Sequence, residues 1–246
     1  MAGLPSPGGI LGDAGEAQQA RDEMLRALGA VRWRQRTVWR LTLHLSRGAA
    51  LENAGICLHP VFGFAFLPGS GLKGLARAYA EMVWAPAQGE APTELGVRTS
   101  QEKSIWQVFG RGPEPGGGEG SAGGVVFHEA WPVGWPSLSV DIVNSHHPQY
   151  YDQAKRGQDA KAETPPDARA AGWEPPGDWQ SPVPVYFLTV PPKTGFEFAL
   201  SLRDPAIPGQ GKLLELAKNW LVGGLCELGA GAKTAAGYGY FAAEGK

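Results

Sequence analysis

The sequence is poor in cysteine, in net charge and in long apolar runs. Its 2 cysteines, Cys57 and Cys226, are far apart and show no metal-ligand spacing, so we expect no metal and no cofactor. Residues 1–12 do not resemble a signal peptide, and so few thiols are typical of a reducing compartment, so we expect a cytoplasmic protein. No apolar stretch approaches the roughly 20 residues that cross a bilayer, so we expect no membrane partner.

The formal net charge of −2 excludes a basic surface over the whole molecule. A nucleic-acid site would therefore have to be a local basic patch. One candidate patch lies between Glu23 and Glu52, where the sequence has no acidic residue. The segment carries six arginines instead: Arg26, Arg32, Arg34, Arg36, Arg40 and Arg47.

Glycine and proline are abundant, with 36 and 21 residues, which predicts long connections between elements. Periodicity predicts helices over residues 13–28, 72–84, 98–109 and 212–228. It predicts strands over 31–46, 61–67, 125–130, 138–143, 183–190, 196–202 and 238–242. This order favours an α+β, ferredoxin-like (RRM-like) fold with helices on one face of the sheet. We expect an N-terminal extension over 1–30 and one domain over 31–246, with insertions at 85–124 and 152–181.

Parts of these elements have informative patterns. From Trp39 to Ser46 apolar and polar residues alternate, which predicts a half-buried strand with one partly basic face. The glycine-rich residues 110–124 are predicted to be flexible. Residues 152–181 are polar and rich in proline, so we expect a segment that is disordered or orders on a partner.

Lys73 and Arg77 are spaced by four residues on the polar face of the helix predicted over 72–84. Like charges at this spacing slightly destabilise a helix, which is understandable if an anion binds there. The helix amides that follow Ser70 would contribute to such a site. The alternative is a solvated face on which Arg77 pairs with Glu81.

Residues 229–239 form the second glycine-rich segment, GAGAKTAAGYG. It is not a phosphate-binding P-loop, because Ala232 and Glu227 occupy the positions where that motif requires glycine. Glycines such as Gly231 and Gly237 permit positive φ and close approach to another backbone, while Lys233 supplies a charge for phosphate. Tyr238 and Tyr240 are expected to share one face of a strand, where either could stack on a base. The alternative is an ordinary helix-ending turn with a core tyrosine.

Three segments together are similar to a known family. Residues 68–77, PGSGLKGLAR, resemble the PGSSLKG…R motif of repeat-associated RNA-binding (RAMP) proteins, although Gly71 stands where a second serine is usual. Residues 229–239 resemble the C-terminal glycine-rich loop of those proteins. Residues 141–151, DIVNSHHPQYY, followed by PVPV at 182–185, resemble the sixth-subunit family of the type III-B (Cmr) CRISPR effector complex.

The resemblance implies a ferredoxin-like RAMP domain that acts in antiviral defence without catalysis. It implies contacts to the phosphate backbone of the CRISPR guide RNA near its 3′ end. The residues implied in RNA binding are Ser70, Lys73, Arg77, Gly231, Lys233, Gly237 and Tyr238. The implied partners are the guide RNA, the target RNA, and the neighbouring backbone and small helical subunits of the complex.

Two other functions stay open. Some RAMP relatives are endoribonucleases that use histidine, so His44, His59, His128, His146 and His147 are candidates for general acid–base work. The adjacent pair His146 and His147 would point to opposite sides of an extended chain, and no coherent acid–base set emerges. We therefore expect no enzyme. The alternatives are a metal-independent endoribonuclease that processes guide RNA, and a purely structural assembly subunit.

Overall fold

The structure is a computed structural model that describes residues 14–43, 56–88, 100–113, 117–145, 182–207 and 211–242. The helices are α1 (Ala14–Ala27), α2 (Gly69–Tyr79), α3 (Ala85–Ala87), α4 (Ser100–Phe109) and α5 (Gly211–Gly223). The strands are β1 (Val31–Arg36), β2 (Gly110–Arg111), β3 (Ser121–Ala122), β4 (Val125–Phe127), β5 (Trp131–Pro132), β6 (Ser139–Ser145), β7 (Val183–Thr189) and β8 (Gly195–Leu202). π-Helical turns at Ala80–Trp84 and Gly224–Leu228 follow α2 and α5, and a 3-10 turn spans Thr234–Ala236. The predicted α+β class is confirmed.

The main sheet is antiparallel and has β8 at its centre. On one side of β8 lies β1, with Val31 opposite Leu200 and Arg36 opposite Gly195. On the other side β4 and then β5 pair with β8. Beyond β1, the strand predicted at 238–242 is reduced to a bridge between Thr37 and Phe241. The ferredoxin-like detail of the fold stays a prediction.

The hydrophobic core lies between this sheet and the two long helices α2 and α5, which pack against each other. Alternation along β8 turns Phe196 and Phe198 toward this core, where both rings contact Phe241. Trp220 of α5 is almost fully buried and stacks on Phe109 of α4. α4, inside the predicted insertion, therefore belongs to the core.

The other face of β8 is covered by α1, which begins the described chain. Leu25 of α1 is fully buried, and Arg21 forms a buried ion pair with Glu197 of β8 at 2.9 Å. The helix ends at Gly29, whose φ of +61° is the left-handed conformation that glycine adopts most readily. Asp13, with which the helix predicted over 13–28 begins, lies outside the described residues.

The long strand predicted from residue 31 is wrong beyond Arg36. Val38 and Trp39 turn outward and are exposed, and the pairing that follows consists of isolated bridges, from Leu41 to Val190 and from Thr42 to Ala232. Thr42, expected on a polar face, is fully buried because Ala232 pairs with it. Periodicity could not anticipate this bulge, because Trp39 is as apolar as Trp33 and Leu41, the buried odd-numbered residues before and after it.

The apolar face of the helix predicted over 72–84 is buried in its first half only. Helical spacing predicts that Leu72, Ala76 and Met82 share one apolar face. Leu72 and Ala76 are buried, but Met82 is 69% exposed. The π-helical turn at Ala80–Trp84 adds a residue to the helical repeat and rotates the following side chains. Trp84 then packs on Trp220, and Met82 points to solvent.

The glycine-rich residues 110–124, predicted to be flexible, include an antiparallel pair in which β2 faces β3. The glycines are used for close backbone packing here: a Cβ on Gly110 would lie 2.5 Å from the carbonyl oxygen of Ser121. Low complexity was therefore a misleading signal at this place. The segment 152–181 lies outside the described residues.

Candidate nucleic-acid interface

The structure brings the two glycine-rich segments together as walls of one cleft of about 280 Å³. Pro68, Gly71 and Leu72 form one wall, and Gly229, Ala230 and Gly231 form the other. Leu43 contributes from the segment that follows β1. The sequence places these segments almost 160 positions apart, so only the tertiary fold makes them neighbours.

The first wall is the N-terminal turn of α2. Ser70 and Gly71 are exposed there, and the first amides of a helix lack partners within it, which favours anions at this end. A Cβ on Gly69 would overlap the Phe127 carbonyl oxygen, so this glycine allows α2 to start against β4. Gly71 has no atom within 4 Å of its Cβ position, so a serine would fit there.

The cations of α2 lie along the same helix. Lys73 is partly exposed, one turn from the N-terminus. Arg77 is exposed and its Nε donates a hydrogen bond to Glu81 at 2.7 Å, the pairing that the alternative interpretation expected. An exposed pair of this kind contributes about 0.3–0.5 kcal/mol, so a phosphate could compete for Arg77.

The second wall depends on left-handed backbone. Gly231 has a φ of +85°, and a Cβ there would overlap the Thr42 carbonyl oxygen. The Ala232 amide donates to that same oxygen at 2.9 Å, which holds the segment against residues 41–43. Gly237 also has positive φ, but its Cβ position meets no atom within 4 Å.

Lys233 and Tyr238 anchor the segment to the hairpin formed by β6 and β7. Lys233 adopts a φ of +59°, and its Nζ lies 5.3 Å from the ring centroid of Phe187. The Tyr238 hydroxyl donates to Asp141 at 2.7 Å. The expectation that Tyr238 shares a strand face with Tyr240 is wrong, since Tyr238 lies in a turn and is partly buried against the hairpin.

Asp141 is the centre of a polar cluster that sequence reasoning missed. Its carboxylate lies 3.2 Å from the guanidinium of Arg40, which also donates to the Val140 carbonyl. Burial alone would raise the pKa of Asp141, but the hydrogen bonds from Tyr238 and the Ile142 amide, together with Arg40 and Lys233, lower it below the ordinary value. Asp141 thus stays ionised and pairs with Arg40 near the glycine-rich wall.

The arginine-rich segment is only partly a surface patch. Arg32 and Arg34 both reach Glu197, which they share with Arg21. These arginines hold α1 and β1 to β8. Arg26 and Arg36 are exposed, and Arg47 lies outside the described residues.

The histidines do not meet in one place. His59 lies in an aromatic cluster with Phe64 and Trp131, 3.5 Å from Glu129. His128 contacts the Ser201 hydroxyl at 2.9 Å, and burial lowers its pKa. His44 and the pair 146–147 lie outside the described residues. Within the described ranges no group of three or more potential metal ligands is found.

Comparison with known proteins identifies the class of protein that this fold and cleft define. The family model of the RAMP superfamily matches residues 43–242, which include both walls of the cleft. The chain therefore belongs to the RAMP superfamily. Over 256 aligned positions it is 28% identical to the CRISPR system Cmr subunit Cmr6 of Pyrococcus furiosus, covering 88% of this chain and 69% of that protein. The resemblance to the sixth-subunit family is confirmed.

One solved structure shares the fold of this chain. A chain of the type III-B Cmr-beta complex bound to cognate target RNA is similar with a TM-score of 0.58 and 20% identity over 93% of this chain. This chain spans 65% of that longer chain. The crystal structure of Cmr6 from Pyrococcus furiosus matches with a TM-score of 0.46 and 25% identity, over 87% of this chain and 97% of that one. Among the described residues, no helix has the length and apolar character of a membrane span.

Proposed function

We propose that this chain is a non-catalytic subunit of a type III-B CRISPR effector complex that binds the guide RNA near its 3′ end. The observation that carries the proposal is the cleft, which joins residues 68–72 and 229–232, two separate segments with RAMP motifs. The similarity to Cmr6, and to a chain in a complex bound to target RNA, supports RNA and neighbouring Cmr subunits as its partners.

The chemistry of the cleft suits a sugar–phosphate backbone. Its lining is largely apolar, so the sugars lie against it while the phosphates stay at the rim. There the amides after Pro68 and the side chain of Lys73 receive phosphate oxygens from one side. Lys233, whose ammonium lies over the Phe187 ring next to the residues that line the cleft, would add a positive charge from the other segment. Such contacts neutralise charge without reading bases, so binding is tolerant of sequence and sensitive to salt.

Removing two of these charges together tests the binding role. We expect Lys73→Gln combined with Lys233→Gln to weaken binding of single-stranded guide RNA roughly tenfold at moderate salt. The slope of log affinity against log salt should fall by about 1.4, because each lost phosphate contact on a single strand removes about 0.7. Fluorescence anisotropy over a salt series measures both quantities.

The matched control changes the same number of lysines elsewhere. Lys103 of α4 and Lys212 of α5 are exposed, so Lys103→Gln with Lys212→Gln removes equal charge outside both motifs. If the two double variants have the same affinity and salt slope, RNA binding does not depend on the cleft. The function would then be that of a structural assembly subunit.

The proposed lack of catalytic activity is tested separately. We expect no defined cleavage product when the purified chain is incubated with repeat RNA in the absence of metal, because the described histidines lack a shared acid–base arrangement. A product detected by denaturing gel, and abolished by His44→Ala or His146→Ala, would instead establish a guide-processing endoribonuclease.

A further inference from the structure

Trp39 is a large aromatic side chain that the fold turns out to solvent. It is 52% exposed although the residues on either side of the bulge, Thr37 and Leu41, are buried. The pairing of β1 with β8 ends at Arg36, and the bridges on either side of the bulge join Thr37 to Phe241 and Leu41 to Val190. The intervening residues bulge outward, and bulges of this kind redirect side chains beside functional sites.

The bulge is held from both sides by backbone hydrogen bonds. The Val38 amide donates to the Tyr240 carbonyl at 2.8 Å, and the Gly239 amide donates to the Arg40 carbonyl at 2.9 Å. The Lys193 amide donates to the Thr37 carbonyl at 2.8 Å. Trp39 is therefore presented in a defined position, directly beside the end of the glycine-rich segment.

One contact of the indole is already made by a cation. The guanidinium carbon of Arg40 lies 5.9 Å from its ring centroid. Arg40 is fixed in turn by the Val140 carbonyl at 3.0 Å and by Asp141 at 3.2 Å. The exposed remainder of the ring offers an aromatic surface to a second planar group.

The charges around the bulge are mostly positive. Arg36 precedes it and Lys193 is hydrogen-bonded to its base, and both are exposed. Asp141 is the acidic group that faces Arg40, and its charge is shared with Tyr238. A partner that is both planar and negatively charged fits this surface better than a partner that is only negatively charged or only apolar. A nucleotide has both properties.

We propose that Trp39 is a base-stacking site for single-stranded RNA, placed so that a strand leaving the cleft passes Lys233 and Arg40 before a base reaches the indole. This rests on the proposed RNA-binding function and adds a contact to bases, whereas the cleft contacts the backbone. Stacking on an aromatic ring is tolerant of sequence, because every base has a planar face.

The test uses two forms of one single-stranded RNA oligonucleotide, an unmodified 12-mer and the same length of abasic ribose phosphates, with the full chain. We expect Trp39→Ala to weaken binding of the unmodified RNA roughly 5- to 150-fold, the range of one base–aromatic stack. Binding of abasic RNA should be unchanged, and Trp39→Phe should retain most of the affinity. Trp135→Ala is the matched control, because Trp135 is also a partly exposed tryptophan but packs on Phe64.

Each outcome decides the proposal. Unaltered binding by Trp39→Ala, or equal losses on both RNAs, would overturn the stacking role. Intact RNA binding with impaired assembly into the complex would assign Trp39 to a protein partner instead. If the Lys73 and Lys233 double variant weakens RNA binding while Trp39→Ala leaves the affinity unchanged, the stacking proposal fails alone. A wild-type chain that binds neither RNA overturns both proposals.

Discussion

Glu197→Ala is expected to lower the free energy of unfolding by about 3–5 kcal/mol, the usual cost of removing one partner from a buried ion pair. The side chains of Arg21 and Glu197 are only 5% and 7% exposed. Burial lowers the pKa of Arg21, and the hydrogen bond and charge of Glu197 oppose that shift. Without the carboxylate, a buried guanidinium keeps its charge and loses its counter-ion, beside a second cation, Arg32.

Urea denaturation followed by circular dichroism measures this loss. The matched control is Arg34→Ala, because Arg34 reaches the same carboxylate at 3.3 Å while its side chain is 66% exposed. It should cost no more than about 1 kcal/mol, since exposed ion pairs contribute little. If Glu197→Ala costs as little as Arg34→Ala, Arg21 must be able to reach solvent, and α1 would not depend on this ion pair.

Gly239→Ala is expected to cost about 3 kcal/mol and to weaken RNA binding at the same time. Gly239 has a φ of +78°, and an added Cβ would overlap the carbonyl oxygen of Ala230. The strain of the left-handed backbone and the backbone clash add together. Since the Gly239 amide also donates to the Arg40 carbonyl, a shift here displaces the bulge and the glycine-rich wall together.

Gly237→Ala separates these two causes. Gly237 has a similar φ of +88°, but no atom lies within 4 Å of its Cβ position. Its substitution should therefore cost about 1 kcal/mol, the strain of the left-handed backbone alone. Equal losses in thermal denaturation for the two variants would show that the contact with Ala230 does not matter.

Local signals predicted those elements whose own residues specify them. The helices α1 and α5 were both predicted, because helical periodicity is a short-range property of the sequence. The two RAMP motifs were found in the same way, as short segments with unusual glycine content. For Ser70, Lys73 and Gly231, a role in RNA binding remains a prediction.

Other features had no local signal. The π-helical turn that exposes Met82 and the bulge that exposes Trp39 both interrupt patterns that read as continuous in the sequence. Glycine-rich residues at β2 and β3 looked flexible because composition does not reveal a backbone neighbour. At the first two a distant segment makes the contact: Trp220 packs on Trp84 of the π-helical turn, and the Tyr240 carbonyl accepts a hydrogen bond from Val38 at the bulge.

The sequence by itself determined the α+β class, the family and the two glycine-rich motifs, because each depends on the order of residues along the chain. Only the tertiary structure decided that the motifs form opposite walls of one cleft. It also decided that Asp141 binds both Arg40 and Tyr238 beside that cleft. It decided as well that Arg32 forms an ion pair with Glu197 instead of contributing to a basic surface patch. The physical reason is that charges and close backbone contacts act through space, between residues that the chain holds about 100 or more positions apart.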